Sequence, residues 1–448
     1  MTEYAKYPDY KSSKIDWLED VPSHWRVIRI KHLTPVKRGA SPRPIDDPIY
    51  FDEDGEFAWV RIADVSASER YLETTTQRLS KVGDRLSVRR WPGDLFLSIA
   101  GTVGKPVITR IKCCIHDGFV YFPDFKGSNE FLYYVFACGQ PYLGLGKMGT
   151  QLNLNTDTVG SILIGLPPVE EQQAIVRFLD FKTAQIDTLI AKKQTLLEKL
   201  AEKRTALISH AVTKGLDPSA PMKDSGVEWL GKIPAHWLPK RLRFCMSTNP
   251  SKSEIKLEDD ELVSFIPMEA VGEFGGLKLE TEKELGEISG GYTYFVNGDV
   301  LVAKITPCFE NGKGAIARNL KNGLAFGTTE LHVMRTGSAL LPDYLFHLTM
   351  SYPFRKIGES EMYGAGGQKR VPETFLKDFR IGLPPLNEQN EIVKYISSVN
   401  HKIDQQVLKT SEAINRLTEY RSAIITNAVT GKIDVRDLPV PTMAVMEA

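Results

Sequence analysis

Between Ile175 and Ala211, apolar side chains return at steps of three, four and seven: Ile175, Leu179, Ile186, Ile190, Leu197, Leu200, Leu207 and Ala211. About two apolar positions per heptad make the narrow stripe of a coiled-coil seam, whereas a helix lying on a globular core shows a wider face. A shift of 217 positions carries each member onto another apolar residue: Ile392, Ile396, Ile403, Val407, Ile414, Leu417, Ile424 and Ala428. Polar residues repeat on the same shift, with Glu171 onto Glu388, Gln172 onto Gln389, Asp187 onto Asp404 and Arg204 onto Arg421. Pro167-Pro168 and Pro384-Pro385 suit a helix entry and not its interior, and Glu170, Glu171 and Glu388 suit the positive end of the helix dipole. Gly215 and Gly431 close the far ends. The pattern predicts two helices of about 40 residues, rods of roughly 60 Å at about 1.5 Å per residue, packed against each other.

The intervening stretches alternate apolar and polar residues, as at Asp94 to Ile99 and Asp299 to Ile305, which predicts mixed units with much antiparallel strand. They repeat as well. Trp17-Leu18 through Pro22-Ser23-His24-Trp25 is echoed by Trp229-Leu230 through Pro234-Ala235-His236-Trp237, and GDLFLSIAGTVGKPVI at 93 to 108 by GDVLVAKITPCFENGKGAIA at 298 to 317. The expected fold is α+β: a mixed α/β unit over 1–165, a long helix over 166–215, a second unit over 216–382, a second long helix over 383–437 and a tail over 438–448. The two helices are expected to form an antiparallel coiled coil relating the units by an approximate twofold axis. Two similar heads on a fixed spacer suit a linear polymer touched at two places, and duplex DNA offers such half-sites about one helical turn apart.

Composition narrows the setting. The 448 residues are 42% hydrophobic and 25% charged, with no apolar run near the roughly 20 residues of a membrane span and no apolar stretch in the opening residues MTEYAKYPDYKSSKID. A cytoplasmic protein is expected. Formal charge is zero, so a nucleic-acid surface must be a local patch. Cys113, Cys114, Cys138, Cys245 and Cys308 form no Cys-x-x-Cys and read as reduced packing residues.

The double GLPP-x-x-EQ entry to a long helix, the paired WL…P-x-HW openings and the GDVLVAKITPCFENGK stretch resemble the specificity subunit of type I restriction-modification systems, from about Tyr10 to Asp437. The resemblance implies two target-recognition domains, each reading half of a split DNA sequence, and helices that act as spacer and docking surface; the two units differ at their candidate contact residues, which predicts an asymmetric target. It also implies a chain with no catalysis of its own. Two modification subunits would bring S-adenosylmethionine and methylate adenine, and restriction subunits would add ATP- and Mg-dependent translocation and cleavage.

The residues themselves point the same way. Gly144 to Gly149 spells G-x-G-x-x-G but follows a helical pattern where a cofactor loop needs a strand, and Gly101 to Lys105 and Gly312-Lys313 miss the phosphate-loop spacing. No Asn/Asp-Pro-Pro-aromatic signature for holding a flipped adenine is present. For DNA contact, Lys and Arg suit phosphate and guanine, and Asn and Gln suit adenine. Candidates in the first unit are Lys37, Arg38 and Arg43 in a basic loop, Arg85, Arg89, Arg90 and Lys105, and the amides Gln151, Asn153 and Asn155 at alternate positions. The second unit offers Lys252, Lys304, Lys313, Gln368, Lys369 and Arg370. Any one of them also fits a solvated surface position. Trp17, Trp25, Trp229 and Trp237 read as core anchors, and His24 and His236 as structural residues without a carboxylate or Cys partner at catalytic or metal spacing. The alternatives are a methyltransferase or nuclease chain with an unrecognised site, a coiled-coil scaffold binding only protein, and the recognition subunit of a related bipartite restriction enzyme.

Overall fold

The computed structural model describes residues 4–143, 145, 154–288, 290–365 and 367–439. The chain divides into two compact units, one of Met1–Lys192 with Glu412–Ala448 and one of Lys193–Ser411. In the first, a five-stranded sheet runs in the order Lys37–Arg38, β5 (Phe119–Tyr121), β2 (Leu95–Ser98), β3 (Pro106–Thr109), Tyr71–Leu72. A four-stranded sheet runs Gln77–Leu79, β1 (Phe57–Val60), β4 (Cys113–Ile115), Val88–Arg90. Here β4 lies parallel to β1, with Ile115 opposite Val60, while β2 is antiparallel to both β3 and β5.

The second unit repeats the plan. One four-stranded sheet runs Met246–Thr248, β10 (Leu331–Thr336), β7 (Val300–Ala303), β8 (Gly314–Ile316), and the other runs Glu282–Glu284, β6 (Leu262–Ile266), β9 (Leu324–Gly327), Thr293–Val296. Again one pair is parallel, β9 with β6, placing Gly327 opposite Ile266. The alternating segments expected around Asp94 and Asp299 form β2 and β7, both buried on both faces. A short helix follows each set of strands: α1 (Asn129–Ala137) and α3 (Pro342–Met350).

The long helices are α2 (Val169–Lys214, 46 residues) and α4 (Leu386–Val429, 44 residues). In the first unit the opening of α2 packs on the closing half of α4: Ile175, Phe178, Leu179 and Ile186 share one apolar cluster with Ile424, Ile425, Ala428 and Val429. In the second unit Ile208, Ala211 and Val212 share a cluster with Ile392 and Ile396. The seam residues Ile175, Leu179, Ile186, Leu200, Ile392, Ile396, Ile403 and Ile424 are buried, and Ile190, Leu197, Leu207, Val407, Ile414 and Leu417 are half-buried. Asp187 pairs with Arg421 at 2.8 Å, and Arg204 with Asp404, so the repeated Asp and Arg positions are cross-helix ion pairs. The face is wider than a two-per-heptad stripe at the helix ends, because Phe178, Ile208, Val212 and Ile425 also enter the unit cores.

The expected helix over 383–437 differs in its last part. Helix α4 stops at Val429, Gly431 takes φ +72°, and the chain beyond it runs non-helically with Ile433 and Val435 buried beside Tyr7 and Trp25. A left-handed backbone ends the helix, and apolar residues past it find more burial in the unit core than another helical turn would give.

The repeated GLPP-x-x-EQ phrase is the joint between each unit and its helix. Gly165 and Gly382 lie against indole rings: an added Cβ would sit 2.9 Å from Trp25 and 2.8 Å from Trp237. The Gln172 amide donates to the Pro167 carbonyl at 2.9 Å, and its oxygen accepts the Ser128 N–H at the entry of α1. Gln389 does the same for Pro384 and for Leu341 at the entry of α3. Trp25 and Trp237 are fully buried, and Trp17 and Trp229 are half-buried.

Glu171 corrects one expectation. His24 and His236 do have carboxylate partners, supplied by the helix entries: His24 Nε2 is 2.8 Å from Glu171 and His236 Nε2 is 2.6 Å from Glu388. The same carboxylates accept the Trp25 indole N–H at 2.8 Å and the Trp237 indole N–H at 3.0 Å. These partners lie far apart in sequence, so no local spacing shows them.

Candidate nucleic-acid interface

The two parallel strand pairs end at matching places. After β4 the chain turns through His116, Asp117 and Gly118 into β5, and after β9 through Thr328, Thr329 and Glu330 into β10. The equivalence is set by backbone bonds: Gly118 accepts the Ile99 N–H at 2.8 Å and Glu330 accepts the Lys304 N–H at 2.9 Å, in each case from the residue after the matching strand. Basic residues from separate segments converge on both turns.

In the first unit Lys37 and Arg38 form a strand on β5, with Lys37 opposite Tyr121 and Arg38 opposite Val120. Arg38 Nε donates to the Asp117 carbonyl, Ser41 donates to the Asp117 carboxylate at 2.9 Å, and Arg43 reaches that carboxylate at 3.4 Å. Gly39 is required there, since an added Cβ would lie 2.2 Å from the His116 carbonyl oxygen. Burial, and then the nearby Arg38 and Arg61 charges, disfavour protonation of His116 and outweigh Asp117, so its pKa sits below the usual imidazole value. Arg90 stacks on Tyr121, 4.2 Å from the ring centre, and pairs with Asp94 at 3.5 Å.

In the second unit Lys304, Gln368, Lys369 and Arg370 come together. The Val371 N–H donates to the Lys304 carbonyl at 2.8 Å, Thr306 N–H to the Lys369 carbonyl at 3.0 Å, and Arg370 forks onto Glu330 through Nη2 at 2.8 Å and Nε at 3.0 Å. Gln368 and Lys369 are exposed. A cavity of about 600 Å³ lined by Phe265, Met268, Glu269, Tyr292, Thr328 and Thr329 opens beside this turn.

Other expected contacts are placed differently. Lys105 Nζ donates to the Ser66 and Ser68 carbonyls at 2.9 and 2.6 Å, and Lys313 Nζ to the Met268 carbonyl at 3.1 Å. Both lysines clamp the segment after β1 or β6, and burial lowers the Lys105 pKa. Arg89 is bonded to Asp84 at 2.8 Å and lies over the Phe57 ring. Arg85 is exposed, and Lys252 lies over the Phe326 ring. Asn155 caps the short helix Thr156–Ser161 by accepting the Asp157 and Thr158 N–H groups at 2.9 Å. Gln151 and Asn153, and the glycine run from Gly144 apart from Leu145, lie outside the described residues.

Sequence reasoning missed Asp117 and Glu330, because a search for cations and amides passes over the acids that orient them. A cavity of about 910 Å³ in the first unit lies elsewhere, beside Arg70, Tyr71, Tyr133 and Asp180. Its cations are already paired: Arg70 with Asp180, Arg110 with Glu73 and Arg421 with Asp187. Among the described residues no group of three or more His, Cys, Asp or Glu is placed to hold a metal ion, and no helix is long and apolar enough to cross a membrane.

A family model for the type I restriction modification DNA specificity domain matches residues 22–199 and 252–416, most of the chain and a part of each unit. The chain belongs to that family. It is 36% identical over 239 residues to the Type I restriction enzyme EcoAI specificity subunit of Escherichia coli, covering 52% of this chain and 40% of that protein. It thus spans about two fifths of the length of that relative, and 39% of the similarly matched EcoEI specificity subunit. With the MjaVIII specificity subunit of Methanocaldococcus jannaschii it shares 24% identity over 439 residues, covering 93% of this chain and 95% of that one. Among solved structures, a chain from work on complex assembly and conformational transition of the type I R-M system overlays with TM-score 0.68 at 17% identity, covering 91% of this chain and 98% of the other. The HsdS subunit from Thermoanaerobacter tengcongensis overlays with TM-score 0.51 at 17% identity, covering 92% and 98%. At such identities the two overlays speak for the shared fold of this specificity family.

Proposed function

We propose that this chain is the DNA-specificity subunit of a type I restriction-modification complex in the cytoplasm, reading a two-part asymmetric target and carrying no catalytic centre of its own. The observation that carries the reading is the duplicated basic turn. The same end of the same parallel strand pair gathers basic residues in both units, yet different ones: Arg38 and Arg43 around Asp117, and Lys304, through its backbone, and Arg370 around Glu330. One scaffold with two different rims is what reading two different half-sites requires, since base contacts specify and phosphate contacts only position.

In this reading S-adenosylmethionine acts at two modification subunits, and ATP with Mg at restriction subunits. The two long helices serve as spacer and docking surface. Methylation mapping of host DNA with and without this chain, in the presence of modification subunits, tests the proposal. A defined two-part target that appears only with the chain is expected. Methylation or cleavage of DNA by the purified chain alone would overturn the non-catalytic assignment, and an unchanged methylation pattern would overturn the whole.

A further inference from the structure

Arg370 is held through both its backbone and its side chain. Its backbone is fixed on two sides, the N–H donating to the Tyr363 carbonyl at 2.9 Å and the next N–H, of Val371, to the Lys304 carbonyl at 2.8 Å. Its Nε and Nη2 form a fork on the Glu330 carboxylate at 3.0 and 2.8 Å. The Nη1 side has only a 3.5 Å contact to the Gln368 carbonyl, and the side chain remains 39% exposed. Glu330 is anchored in turn, its N–H on the Thr328 hydroxyl at 3.2 Å and its carbonyl accepting from Lys304. The hydrogen bond from Arg370 holds the Glu330 carboxyl below its usual pKa, which favours the ionised form that the fork requires.

An arginine paired in this way has a chemical preference. Together with its carboxylate it carries no net charge, so it is a poor anchor for phosphate, whose binding depends on net positive charge and counterion release. It keeps two N–H donors on the Nη1/Nη2 edge in a fixed plane. A fixed pair of donors matches a pair of acceptors, and in the major groove only guanine presents two, O6 and N7; adenine puts a donor beside N7, cytosine a donor, and thymine a single acceptor. Around Asp117, the matching turn of the first unit, the arrangement is looser: Arg43 touches the Asp117 carboxylate at 3.4 Å with 81% of its side chain exposed, and Arg38 bonds a carbonyl.

We propose that Arg370 reads a guanine in the half-site recognised by the second unit, with Glu330 as its positioning residue. This rests on the DNA-specificity reading above.

The test uses the full chain assembled with its modification subunits, methylation mapping over a randomised target library, and binding measured against salt concentration. Arg370→Ala and Arg370→Gln are expected to lower discrimination at one G·C position by about 10- to 100-fold, leaving the other half-site unchanged. Glu330→Ala is expected to weaken the same discrimination while steepening the salt slope by about one, because it releases an unneutralised cation. That change of slope is one a merely structural glutamate would not produce. If Arg370→Gln assembles and methylates the same target with undiminished discrimination, or if Arg370→Ala flattens the salt slope without relaxing any base, the inference is wrong and Arg370 is a structural or phosphate-binding residue. A wild-type complex that marks no defined sequence would instead sink the specificity-subunit reading itself.

Discussion

Replacing Glu171 by Ala tests how each unit is fastened to its helix. The carboxylate is 6% exposed and accepts from Tyr7 Oη at 2.6 Å and from the Trp25 indole at 2.8 Å, with His24 on its second oxygen. Tyr7 and Trp25 are themselves buried, so truncation strands two donors with no water to take them. Hydrogen bonds to a charged group contribute ~1.5–3 kcal/mol each, which puts the loss for Glu171→Ala at ~3–6 kcal/mol. Glu388 has the Trp237 and His236 partners without a tyrosine and is 20% exposed, so Glu388→Ala is expected to lose about half as much. Glu171→Gln keeps an acceptor for Tyr7 and Trp25 and loses chiefly the charge, for ~1–2 kcal/mol. Urea unfolding followed by circular dichroism at constant pH reads the three variants. A further Trp25→Phe change on the Glu171→Ala background removes one stranded donor, and a coupling of at least ~1 kcal/mol between the two sites is expected. Glu171→Ala within ~0.5 kcal/mol of wild type, or full additivity with Trp25→Phe, would refute the claim that this carboxylate holds the joint.

Three further outcomes are expected. Burial pulls the pKa of His347 down from 6.5 to about 4, so the unfolded chain takes up the proton first; its contribution is fully present above about pH 6.5 and is lost as pH falls toward 4, about 3 kcal/mol in all. Unfolding measured across that window should show a shallower slope for His347→Leu than for wild type, the lowered pKa of His332 supplying part of what remains. Exchanging charges between Asp187 and Arg421 should restore most of what either single reversal loses, with a coupling of ~0.2–1 kcal/mol that fades in high salt, as read by a double-mutant cycle. Gly165→Ala and Gly382→Ala drive a Cβ into Trp25 and Trp237 and should each lower the thermal midpoint, at a cost of ~1–3 kcal/mol; unchanged midpoints would show that the joint has slack.

The long helices were legible because their signal is local. A repeat near 3.5 residues, proline entries and glycine stops are written in neighbouring letters, and the shift that superposes Ile175 on Ile392 needs no knowledge of packing. Their ends were less so. Phe178 and Ile425 look incidental to a heptad but widen the apolar face where a unit core takes over, and Ile433 and Val435 are core residues in a stretch read as helix. The basic turns were partly legible: Lys37, Arg38, Arg43, Lys304 and Arg370 were candidates by type, yet so were Lys105 and Lys313, whose ammonium groups clamp backbone carbonyls. Residue type tells a cation from an acid, but not a free cation from a bonded one.

By itself, then, the order of residues determined the duplication, the two long helices and the mixed α/β class, because each follows from periodicity and from backbone preferences that act over a few residues. Only the tertiary structure decided that Glu171 meets Tyr7 and Trp25, that Asp187 faces Arg421, and that Glu330 orients Arg370. Those contacts depend on sheet register and on helix pairing across long stretches of chain, and a side chain's chemistry is completed by whichever neighbour the fold brings to it.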